Sequence, residues 1–85
     1  IRSMHREMAN MASRAVDRYA TDERYFTGIT FSVNDEAYKK IVDEINACRK
    51  KVLAIANAYK DVNQVCRINF QLFPMTDKIN GGRHA

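Results

Sequence analysis

The stretch from Asn34 to Lys60, NDEAYKKIVDEINACRKKVLAIANAYK, constrains the chain most. Its apolar residues fall at Tyr38, Ile41, Ile45, Cys48, Val52, Ile55 and Tyr59. Steps of three and four alternate throughout, which predicts a helix with one face for burial. At a rise of about 1.5 Å per residue it would run roughly 40 Å. Asn34 is a suitable N-cap, and Asp35 and Glu36 in the first turn face the positive end of the helix dipole. Asp35/Lys39 and Glu36/Lys40 place an acid four residues before a base, the favourable order. The seven-residue period also suits a coiled coil, but three heptads between two strand-like segments more often pack on a sheet.

Those flanking segments carry a different period. In YFTGITFSV, Ile29, Phe31 and Val33 alternate with Thr30 and Ser32; in VCRINFQLFP, Cys66, Ile68, Phe70 and Leu72 alternate with Arg67, Asn69 and Gln71. Both read as half-buried strands, with Gly28 marking a bulge or close approach and Pro74 ending the second. Residues 1–20 contain neither Gly nor Pro, and Ile1, Met4, Met8, Met11, Ala15 and Tyr19 repeat at helical spacing. That predicts a first amphipathic helix whose methionine stripe packs on the main helix or meets another subunit. TDER (21–24) and DVNQ (61–64) are the connectors.

The order helix, strand, long helix, strand implies an α+β fold. Two strands joined through a covering helix should form a parallel right-handed unit. Such a sheet is weak and leaves open edges. Edge accounting therefore favours a homodimer, the small sheet completed to four strands and covered on one face by helices. Met4, Met8, Met11, Arg67, Asn69 and Gln71 are the candidate interface residues. Residues 1–76 form one domain and 77–85, including NGGRHA, a flexible tail. Ile1 in place of Met suggests a piece of a longer protein.

No reaction is specified by these residues. His5 lies outside any HExxH motif, His84 is in the tail, and there is no GxSxG elbow or Gly-rich phosphate loop. The adjacent acidic pairs have surface or capping roles, and no two carboxylates are set to divide acid and base work. The reading is therefore not an enzyme, with no cofactor and no catalytic or metal-binding residue. Cys48 and Cys66 continue the apolar patterns and read as buried thiols; a disulfide between them is the lesser alternative, and no spacing suits a metal. That usage fits a reducing, cytoplasmic compartment. No apolar run approaches the ~18 residues of a membrane span. The net charge of +4 permits nucleic-acid contact without arguing for it.

The segments ERYFTGITFSVNDEAYKKIVDEINACRKKVLAIA and VCRINFQLFPMT carry a family resemblance. With a first helix of the HREM kind, the strand Gly28–Val33, the acidic turn Asp35-Glu36 and the basic Arg49-Lys50-Lys51, they resemble the C-terminal region of a paralogous family of bacterial proteins described as transcriptional regulators, seen in Fibrobacter-type bacteria. That region is known as domain of unknown function 4423. The resemblance covers about residues 4–76, and the ending N-x-Q-L-F-P is its most specific part. It implies a C-terminal module that oligomerises or regulates, with the DNA-binding region N-terminal to this chain, and it supplies no catalytic or ligand residues. Two other readings follow from the residues themselves. An effector pocket would use Tyr25, Tyr38, Tyr59 and Cys66. Direct nucleic-acid binding would use Arg2, Arg6, Arg14, Arg18 and the cluster at 49–51.

Overall fold

The computed structural model describes residues 1–78; positions 79–85 of the expected tail lie outside the described residues. Among the described residues two α-helices make up the regular structure, α1 (Arg2–Arg18) and α2 (Asp35–Asn57), with a single 3₁₀ turn at Thr21–Glu23 between them. Both helices lie where the apolar period placed them, and α2 stops three residues short of Lys60. The Asn34 carboxamide oxygen accepts from the Ala37 backbone N–H at 2.8 Å, so the expected N-cap is made. Lys40 pairs with Glu36 at 3.4 Å, while Asp35 pairs with Lys78 at 3.3 Å rather than with Lys39.

Between the helices the chain is pinned by local bonds. Glu23 accepts from the Ala20 N–H at 3.0 Å, and the Arg24 Nε donates to the Tyr19 carbonyl at 3.1 Å. The latter satisfies a carbonyl beside the helix end, where intrahelical donors have run out. The Arg24 guanidinium also lies 5.4 Å from the centre of the Phe26 ring.

The expected α+β fold is not what forms: the protein is all-α. Among the described residues there is no strand. The alternating segments 25–33 and 65–73 are irregular, and neither makes a ladder with the other. Backbone hydrogen bonds outside the helices are confined, among the described residues, to helix ends and the 3₁₀ turn. A strand exists only when a second backbone takes its N–H and C=O groups. Two short segments separated by a long helix meet that condition only when the fold sets them side by side, and here it does not. The parallel unit and its four-stranded completion fall with the strands. Gly28 has nothing within 4 Å of where a Cβ would sit, so it marks no close approach either.

No described residue is buried. The accessible surface is 8619 Å², against about 5,200 Å² expected of a compact monomer of this mass. The radius of gyration is 17.1 Å, where a compact chain of this length has about 12 Å. Half-covered side chains trace where packing begins: Met8, Ala9, Ala12 and Ala15 on α1, Ala37, Ile41, Val42 and Ile45 on the first half of α2, and Asn69 and Leu72 in the last segment. Both cysteines are free and exposed, which corrects the expectation of buried thiols. Nothing packs closely enough on the second half of α2 to cover Cys48, and Cys66 follows the fully exposed Val65, ahead of the Phe70 and Leu72 that meet α2.

Candidate interaction surface

Three features bring the candidate residues into one account: a polar clamp on α1, a shallow depression on α2, and a bare apolar face beyond it.

The clamp joins the last segment to the first helix. The Asn69 side-chain nitrogen donates to the Met8 carbonyl at 2.9 Å, and its oxygen accepts from the Arg67 Nε at 2.9 Å. Asn69 and Met8 are half-covered, whereas Met4 and Met11 are 50% and 44% exposed and Gln71 is exposed. Of the six interface candidates, Met8, Arg67 and Asn69 are thus brought together within one chain, while Met4, Met11 and Gln71 face outward. Periodicity gave no signal for the clamp, because a carboxamide on the polar side of an alternating segment reads as solvent-facing.

The depression has a volume of about 210 Å³ and is lined by Tyr38, Val42, Ile45 and Asn46 of α2 with Phe70 and Leu72. The alternation in VCRINFQLFP therefore does set an apolar face, turned to the helix without a sheet. Of the residues expected in an effector pocket, Tyr38 alone is on this wall; Tyr25 and Tyr59 are 88% and 71% exposed, and Cys66 is exposed. Val42 and Asn46 were missed because they sit beside the main stripe of α2, and Phe70 and Leu72 because they were assigned to a sheet.

Past Asn46 the stripe continues uncovered. Val52, Ile55 and Tyr59 are 37%, 60% and 71% exposed, and Leu53 beside them is 59% exposed. The basic residues Arg49, Lys50 and Lys51 are exposed on the same half of the helix. On α1, Arg14 is held by Glu7 at 3.2 Å, which takes one cation out of the arginine series considered for phosphate. Among the described residues no group of three or more His, Cys, Asp or Glu side chains is arranged to hold a metal ion. No helix of the described residues is long and apolar enough to cross a membrane.

Residues 1–75 match a family model described as a domain of unknown function, DUF4423. The chain belongs to this family. The match to DUF4423 takes in both helices and both irregular segments, ending just after Pro74. No curated protein and no solved structure matches the chain. The DUF4423 description names no activity.

Proposed function

We propose that this DUF4423 chain is a non-enzymatic assembly and regulatory module. In this reading it is the C-terminal part of a bacterial transcription regulator of the Fibrobacter-type family, acting in the cytoplasm as a homodimer. A DNA-binding region N-terminal to it reads the target. The observation that carries the assembly half is that no described side chain is buried, in a sequence that is 46% hydrophobic. Apolar burial is the main favourable term in folding, at about 25 cal/mol per Å². A chain that leaves its apolar stripes in water lacks that term until another surface covers them. A stable interface needs roughly 800 Å² from each partner, and the excess of surface over a compact monomer is several times larger. The regulatory half follows from what dimers do for DNA readers: they hold two reading heads at a fixed separation.

An effector-binding role has less support. The depression beside Tyr38 holds about 210 Å³, below the roughly 300–1,000 Å³ of typical small-ligand sites.

The test is sedimentation equilibrium across a concentration series, paired with thermal unfolding followed by circular dichroism. A homodimer gives twice the monomer mass at high concentration and a Tm that rises with concentration. A monomer mass throughout, with a concentration-independent Tm, overturns the proposal.

A further inference from the structure

We infer that the second half of α2 is a self-association surface, on which a second copy of this chain lays the same half-helix in parallel. This rests on the homodimer reading above and specifies where, and in which orientation, the copies meet. Ile41, Ile45, Cys48, Val52 and Ile55 alternate steps of four and three, the seam of a two-stranded coil. In that register Val52 takes an a position between the d positions Cys48 and Ile55, and Ile45, the preceding a position, also lines the depression with Phe70 and Leu72.

The orientation follows from what already covers α2. Phe70 and Leu72 lie against its first half, on the flank formed by Tyr38, Val42 and Ile45. On a helical wheel at about 100° per residue, Cys48 and Ile55 lie roughly 90–110° from the middle of that flank and Val52 roughly 45°, all further along the helix than Asn46, so a neighbouring helix can approach the second half without displacing the segment. In a parallel pair the uncovered half meets the uncovered half, and Cys48, Val52 and Ile55 each face their own equivalents. In the antiparallel pair that keeps the seam, Cys48 faces Ile45 and Val52 faces Ile41. The exposed Cys48 and Val52 would then be set against the half-covered Ile45 and Ile41, and the two exposed halves would not meet each other.

Charge agrees with the parallel arrangement. Glu44 precedes an a position and Arg49 follows a d position, so Glu44 of one copy meets Arg49 of the other, twice by symmetry. That pairing also sets an acid beside the basic cluster at 49–51, which would otherwise be the main repulsion in a close parallel pair.

The experiment uses the full 85-residue chain in two forms. One carries Cys66→Ala, leaving Cys48 as its thiol; the other carries Val52→Cys with Cys48→Ala and Cys66→Ala. Both are oxidised mildly and run without reductant, while their masses are measured separately under reducing conditions. Parallel pairing predicts disulfide-linked dimers from both. In the antiparallel pair the two thiols introduced by Val52→Cys would lie about 16 Å apart along the axis and would not join. A dimeric mass with no cross-link in the Val52→Cys form overturns this surface while leaving the homodimer reading intact. A monomeric mass overturns both. An independent check is Ile55→Ala, a change at a 60% exposed side chain that leaves the helix able to form. It should weaken dimerisation by roughly tenfold or more, and an unchanged dissociation constant counts against the seam.

Discussion

Asn69 donates from its side-chain nitrogen to the backbone carbonyl of Met8 at 2.9 Å, across 61 residues of chain. The acceptor lies inside α1, where each carbonyl already serves the N–H four residues on, so Asn69 occupies the second lone pair of that oxygen. Arg67 holds the other end of the same carboxamide. In a chain with so little burial, this half-covered bond is what fixes the last segment to the first helix.

Replacing Asn69 with Ala should therefore cost about 1 kcal/mol in denaturant unfolding, the net worth of one such bond. Arg67→Ala should cost less, because the Arg67 hydrogen bond is to the carboxamide and not to α1 itself. The two should also fail to add: once Asn69 is gone, Arg67→Ala should have almost no further effect. Additive losses would mean that Arg67 acts elsewhere.

Loss of the α2 cap is a second expected outcome. Asn34→Ala removes the acceptor of the Ala37 N–H and should cost about 1 kcal/mol, whereas Asn34→Asp should be nearly neutral and Asn34→Gly should cost only a few tenths. Thermal unfolding monitored at the helix band would rank the three.

Leu72 is half-covered against α2. Leu72→Ala should destabilise by about 1–2 kcal/mol, below the roughly 2–5 typical of a fully buried leucine. Hydrogen exchange should show faster opening of the turn around Val42 and Ile45 while the end of α2 is unaffected.

The thiols give a direct reading of the second half of α2. Both are exposed, so each should react with a water-soluble disulfide reagent without denaturant in dilute solution. If the parallel seam forms, Cys48 should slow as the concentration is raised while Cys66 keeps its rate. Equal slowing of both would place the contact elsewhere.

How much of this could be read beforehand depends on the range of each interaction. Helix periodicity is written within a few residues, so α1 and α2, and the Asn34 cap, were legible from Met4 to Tyr19 and from Asn34 to Tyr59. The alternation at Cys66, Ile68, Phe70 and Leu72 was legible too, and at Phe70 and Leu72 it marked an apolar face that does meet a partner. What it could not specify was the surface that face would meet: alternation is equally satisfied by a neighbouring strand and by the side of a helix.

Local pattern thus accounts for the two helices, the capped start of the long one, and the apolar faces on the segments flanking it. Those are outcomes of backbone preference and of spacing along the chain. Long-range packing is what sets Phe70 and Leu72 on α2 and not in a sheet, brings Asn69 to Met8, and leaves Cys48 and Cys66 in water. Each of these depends on which distant segments come together, and the closure of a long loop is a property of the whole chain that no local pattern encodes.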